Sequence, residues 1–288
     1  MQRRFGKGTQ MQSQDTVKQS QNTDPPDLRL EQLYHFLYIF CGYDIGEPLH
    51  KILAFSELLL QDEPPAKERA IDLNSIRLLA EDIAVITNSL RDAARLELGQ
   101  DFHGGDPQYE NVDLRPILMD CFAQAQKRIE HANSLLELEK HSRHIILAQN
   151  REPAEVKIDF PDDLPTVWAI PWVVQKAAHD ITWFILQRHL KTQVSFDISC
   201  DDKHVSVGIG CAGFSTTNAS KNFFEFESAA TCFTFSGESL VLYLSWRALK
   251  AYGGEMYFHT QDRSQLGEPS KTTVTFTLPI HKSNISIA

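Results

Sequence analysis

The sequence predicts an α+β protein built in two parts, an N-terminal antiparallel helical hairpin and a following sheet covered by helices on one face. Three observations predict it. Apolar residues recur at three- and four-residue steps in two runs within the first hundred residues. The turn signal Asp62-Glu63-Pro64-Pro65 separates those runs. Downstream, helical patterns interleave with short alternating stretches that read as mostly antiparallel strands.

Residues 1–27 are polar, rich in Gln, Ser and Thr, and end in Asp24-Pro25-Pro26-Asp27. Such a stretch buries too little apolar area to offset its ordering entropy and reads as a flexible tail. The first helix starts near Leu28. Its stripe runs through Leu30, Leu33, Leu37 and Phe40 and resumes at Ile45, Leu49, Ile52 and Leu59. Pro48 lies inside it, and its ring should press on the carbonyl of Asp44, which predicts a kink there. The second helix places Leu73, Ile76, Leu79, Ile83, Ile86 and Leu90 on one face and ends near Gly99. A hairpin this long cannot cover its own apolar stripe. Residues 28–103 are therefore expected to pair with a second copy as a four-helix bundle.

Residues 104–288 form the second part. A helix starts at Val112-Asp113-Leu114 and runs to about Leu136, and others cover Pro171–His189 and Leu240–Ala251. Gly253-Gly254 stops the last of these, as glycine does past a helix C-terminus. Strands are expected at His144–Leu147, Glu155–Asp159, Gln193–Ser199, His204–Ile209, Met256–His259 and Thr272–Leu278.

The bulk numbers narrow the partners. A net charge of −10 argues against general binding to nucleic acid or to an anionic membrane, whose surfaces are themselves negative. No run approaches the ~18 apolar residues that a membrane span requires. Cys41, Cys121, Cys200, Cys211 and Cys232 are odd in number and lack a CxxC pair, which points to reduced thiols in a cytoplasm rather than to a disulfide framework or a zinc site.

Over residues 28–281 the order and spacing of several motifs resemble the transmitter region of sensor histidine kinases. Pro48-Leu49 followed by Ile52, Phe55, Ser56, Glu57, Leu58 and Leu59 is similar to the end of the family's phosphoacceptor motif and the run after it. Leu90-Arg91-Asp92-Ala93-Ala94-Arg95-Leu96-Glu97-Leu98-Gly99 resembles the end of its second bundle helix. Asp163-Leu164-Pro165, Tyr252-Gly253-Gly254 and the final strand Thr272–Pro279 match further landmarks. The resemblance implies a dimerisation hairpin followed by an α/β-sandwich of the histidine-kinase ATPase type.

It also implies where the chemistry should sit, and other residues stand there. Tyr43 occupies the place of the phosphorylated histidine, with Asp44 beside it. A phenol of pKa about 10 is not activated at neutral pH by one carboxylate. The two asparagines of the metal-binding helix fall at His179 and Trp183, although magnesium prefers hard oxygen ligands. The aspartate that reads adenine falls at Ile209, in Ile209-Gly210-Cys211-Ala212-Gly213, where Gly213 alone matches the motif glycines. Before the last long helix the chain reads Gly237-Glu238-Ser239-Leu240-Val241-Leu242, so Ser239 and Val241 replace glycines that let a loop approach phosphate. Phe223-Phe224-Glu225-Phe226 resembles an aromatic box that packs under a mobile lid.

These replacements beside an intact hydrophobic pattern predict a catalytically inactive, dimeric scaffold or regulator in two-component signalling, with no cofactor and with ATP and magnesium binding lost. The expected partners are a response-regulator receiver domain, docking at Tyr43, Asp44, Glu47 and Lys51, or a kinase paired through the hairpin. Two other readings stay open. A phosphotransferase would relay phosphate through His50 or His35, and a repurposed cleft lined by His179, Trp183 and Phe224 would take a different small molecule.

Overall fold

The computed structural model describes residues 40–61, 65–97, 108–141, 154–188, 193–212, 237–261 and 271–280. The described chain opens in a π-helical segment, Phe40–Ile45, that runs directly into α1 (Gly46–Gln61). Helix α2 (Ala66–Glu97) returns antiparallel beside it. The helix is irregular over Phe40–Ile45, the segment that holds the Asp44 carbonyl four residues before Pro48, and is regular from Gly46.

A two-stranded ribbon, β1 (Glu110–Val112) with β3 (Val167–Ala169), brackets α3 (Leu114–His141) and β2 (Val156–Asp159). Then come α4 (Pro171–Arg188), β4 (Val194–Cys200), β5 (His204–Ala212), α5 (Gly237–Ala251), β6 (Glu255–Gln261) and β7 (Lys271–Pro279). The main sheet has the order β2-β4-β5-β7-β6; β2 pairs parallel with β4, and the other neighbours are antiparallel. Strand alternation sends Val205, Val207, Ile209 and Cys211 of β5 and Val274, Phe276 and Leu278 of β7 into one buried cluster. Helix α4 gives that cluster Val174, Ala177, Ala178, Ile181 and Ile185, and α3 gives it Leu118, Cys121 and Ala125. Fully burying one such large side chain stabilises the fold by about 1.5–3 kcal/mol.

The opposite face of the sheet carries small polar residues. Thr273 and Thr275 press on Gly208 and Gly210, and a β-carbon at Gly210 would lie 2.5 Å from the Thr273 hydroxyl. Helix α5 ends as the sequence predicts. Gly253 turns at φ 83° and the amide of Gly254 donates to Leu249 O at 2.8 Å. The helix begins at Gly237 rather than Leu240.

The core does not stop at the hairpin. Ile86 of α2 belongs to the main cluster, and Ala93 of α2 packs with Leu240, Tyr243 and Leu244 of α5. The expected strand His144–Leu147 lies outside the described residues, as do the 1–27 tail, His35, Gly213, Phe223, Phe224 and Phe226. No described helix is long and apolar enough to cross a membrane.

Candidate functional site

Helix α4 is apolar toward the sheet and polar toward α2, and the polar side carries both sequence-singled residues. Pro171 starts it, and Ile170 O accepts the amides of Val173 and Val174. From that start, helical spacing puts Lys176, His179, Asp180 and Trp183 on one polar face, which meets α2, α3 and α5.

Trp183 is held by α2. Its indole Nε1 donates to Asp82 Oδ1 at 2.8 Å, and Arg128 of α3 reaches the same oxygen at 2.7 Å. Arg128 also lies 3.8 Å from Glu81, which pairs with Arg77. Arg77 in turn donates to Asn74 through Nε at 3.1 Å. Trp183, Asp82 and Arg128 thus tie α4, α2 and α3 together at one buried carboxylate.

A second tie lies nearer the start of α4. Lys176 Nζ is 2.9 Å from Asp180 and 3.7 Å from Asp92 of α2, and the Ser245 hydroxyl of α5 donates to Asp180 at 2.5 Å. Burial alone would lower the Lys176 pKa. The two carboxylates outweigh it and hold the ammonium above the usual lysine range.

His179 faces α3. Its Nε2 is 3.3 Å from Asp120 and its Nδ1 3.3 Å from Gln124, so both ring nitrogens have protein partners. Between α2, α3 and α4 lies a cleft of about 550 Å³, lined by Arg77, Glu81, Asn88, Lys127, His179 and Trp183 among others.

The other positions that the resemblance singled out do not line this cleft. Ile209 is fully buried in β5, inside the apolar cluster. Cys211 is buried beside it, and burial pushes its thiol up to about 12. Gly237 and Ser239 fall in the first turn of α5, and Val241 is fully buried.

The expected docking residues form a different surface. Tyr43, in the π-helical segment, is 61% exposed, and His50 is exposed on α1. Lys51 donates to Glu47 at 2.6 Å across one helical turn, which lowers the Glu47 carboxyl below its usual range. Asp44 is half-buried and engaged. The structure therefore brings His179 and Trp183 together at one cleft, gathers Tyr43, Asp44, Glu47 and Lys51 at the start of α1, and leaves the two groups separate.

Sequence reasoning missed Asp82, Asp92, Arg128 and Lys176. A signal for Asp82 exists: it stands between Leu79 and Ile83 inside the apolar stripe of α2, where a carboxylate is out of place unless something pairs with it.

No family model matches the sequence, and no curated protein matches it. Solved structures do. Histidine kinase ThkA in complex with response regulator protein TrrA matches at 12% identity and a TM-score of 0.50, over 88% of this chain and 64% of that one. The Acinetobacter baumannii histidine kinase AdeS matches at 11% identity and a TM-score of 0.45, over 82% and 96%. The mycobacterial sensor histidine kinase MprB matches at 16% and 0.40, over 59% and 97%. Helical hairpin, five-stranded mixed sheet and the ThkA superposition agree, and this chain has the fold of a histidine kinase transmitter core.

Proposed function

We propose that this chain is a catalytically inactive, histidine-kinase-like scaffold or regulator of two-component signalling. The observation that carries the reading is Trp183. It stands where the resemblance puts a magnesium-ligating asparagine, and its indole is spent on Asp82 of the hairpin. An indole N–H is a donor only and cannot ligate a cation. His179 is engaged by Asp120 and Gln124. Ile209 has no acceptor for an adenine amino group and sits in the core. These side chains do not fit magnesium-bound nucleotide, and ATP and magnesium binding is accordingly lost.

The partner is a receiver domain of a response regulator, engaged through Tyr43, Asp44, Glu47 and Lys51, with a second copy or a partner kinase paired along the hairpin. The complex of ThkA with a response regulator supports this choice by likeness of fold. Residues 28–103 act as the pairing hairpin and 104–288 as the degenerate ATPase-like part.

The test is calorimetric titration of magnesium-ATP into the purified protein, followed by an autophosphorylation assay. The expected result is no heat of binding at millimolar nucleotide and no phosphoprotein. Micromolar binding would overturn the reading and make the chain an atypical kinase.

A further inference from the structure

The main sheet has two edges, and only one of them is guarded. At one edge β2 is four residues long, carries the exposed Lys157 and Asp159, and is followed by Pro161. Helix α3 closes in beside it. The Asn133 side chain takes both the amide and the carbonyl of Ala154, just ahead of the strand, at 3.0 Å each. Short length, lysine, proline and a covering helix are devices by which an edge strand avoids pairing with another chain.

The other edge, β6, is built differently. It runs for seven residues without proline or lysine, and Glu255, its first residue, is its one carboxylate. Among the described residues β7 is its strand neighbour on one side and no strand lies on the other. Its outward face carries Glu255, Tyr257 and His259, all exposed, and the large Tyr257 ring is left 44% exposed. The strand also reads as its own partner. Laid antiparallel against a second copy about Phe258, all seven residues overlap. Tyr257 of each copy then stands opposite His259 of the other on the outward face, and Glu255 stands opposite Gln261. The single charge of the strand never meets its like, and the helices of both copies stay on one side of the sheet.

We propose that β6 is a self-pairing edge, and that its occupant is the same strand of a second copy, which continues the five-stranded sheet across a two-fold axis at Phe258. Strand-to-strand hydrogen bonds supply the attraction, and the Tyr257–His259 pairs fix the register. A contact one strand wide is small, so the pairing belongs to the weak class and forms at hundreds of micromolar rather than at micromolar concentration. It does not depend on the scaffold reading. Where the hairpin pairs as proposed above, the two contacts use different parts of the chain, and β6 joins hairpin dimers into larger assemblies.

Cysteine cross-linking reads the register directly. Cys41→Ser, Cys200→Ser and Cys232→Ser leave only the buried Cys121 and Cys211 as native thiols. In that background full-length Tyr257→Cys is mixed at hundreds of micromolar with full-length His259→Cys carrying a size tag, and the mixture is mildly oxidised. Both positions are exposed, so neither substitution touches the core. Directly opposite β-carbons stand about 4.5–5.5 Å apart, near disulfide reach, whereas diagonal positions at about 7–8 Å are beyond it. The mixed dimer is expected to exceed each homodimer several-fold, well beyond the statistical excess of random collision. A random mixture, or an equal yield from Lys157→Cys with Asp159→Cys at the guarded edge, would overturn the proposal.

Charge placement gives a second reading. Tyr257→Lys with His259→Lys sets ammonium groups opposite each other across the axis, and is expected to abolish the growth of mass with concentration in sedimentation equilibrium at hundreds of micromolar. Tyr257→Lys with His259→Glu sets opposite charges there and is expected to restore it. Equal behaviour of the two variants would sink the proposal. Hairpin pairing is read separately, at micromolar concentration and through the exposed leucines of α1, so either contact can fail alone.

Discussion

At Asp82 one carboxylate oxygen accepts two donors from two other helices, the indole of Trp183 and the guanidinium of Arg128. Asp82 is 9% exposed and the Arg128 side chain 11%, so none of the three groups has ready access to water as a substitute partner. Removing one member of a buried charged pair costs about 3–5 kcal/mol where the other is left unpaired, and with Glu81 still 3.8 Å from Arg128 the loss here falls toward the lower end of that range. Asp82→Ala is thus expected to lower the urea midpoint by that equivalent. Trp183→Phe keeps an aromatic ring and the Asp82–Arg128 pair, but deletes one hydrogen bond and part of the buried indole volume, at a cost of about 1–2 kcal/mol. Urea denaturation of both variants checks the order, and a Trp183→Phe loss as large as that of Asp82→Ala would contradict it.

Helices α2 and α3 also meet through His131, whose Nε2 lies 2.9 Å from the Ser75 hydroxyl. Burial first, then the charges of Arg77 and Arg128, hold its pKa below the usual imidazole value, and Asp72 opposes them. A histidine with a depressed folded pKa binds its proton more readily in the unfolded chain. Its contribution to stability is present above the unfolded value of about 6.5 and is lost as pH falls toward the folded one. Melting temperature is expected to drop between pH 7 and 5, and His131→Gln, which keeps a hydrogen-bonding group near Ser75, to drop less; parallel pH profiles would exclude His131 as the cause. How far such elements are legible in sequence depends on their length. Helices α2 and α4 were readable because a long amphipathic run repeats its signal. Strands β1 and β3, of three residues each, leave no period to detect, and they exist because each supplies the other's hydrogen bonds. The π-helical segment shows in the sequence as a five-residue step, next to the Asp44 carbonyl that Pro48 was expected to disturb. Tyr43, His179, Trp183 and Ile209 were singled out in the sequence by the resemblance alone. The partners of Trp183 and of Lys176 were not, because Asp82 and Asp92 lie about a hundred residues away in sequence and meet α4 only after α2 docks on the sheet domain.

For the whole molecule, α2 has two uses. Ile86 and Ala93 face the sheet-bearing part and α5, while α1 beside it keeps Leu49, Leu53 and Leu60 exposed, Leu60 at 86%. Those three lie four and seven residues apart, which is one stripe of a helix. Leu73 is exposed on α2 as well. A single copy leaves these side chains in water although α1 and α2 pack together, and each buried leucine contributes about 1.5–3 kcal/mol. On the proposed reading, pairing of two hairpins covers the stripe without disturbing the Asp82 and Lys176 ties, which join α2 to α3, α4 and α5. Leu53→Glu combined with Leu60→Glu is expected to convert a dimer into a monomer in sedimentation velocity while leaving far-ultraviolet circular dichroism unchanged. The same substitutions place charges where a receiver domain would not need apolar contact, so binding at Tyr43, Asp44, Glu47 and Lys51 should persist in the monomer. A parent protein that already sediments as a monomer at micromolar concentration would remove self-pairing and leave a partner kinase as the occupant of that stripe.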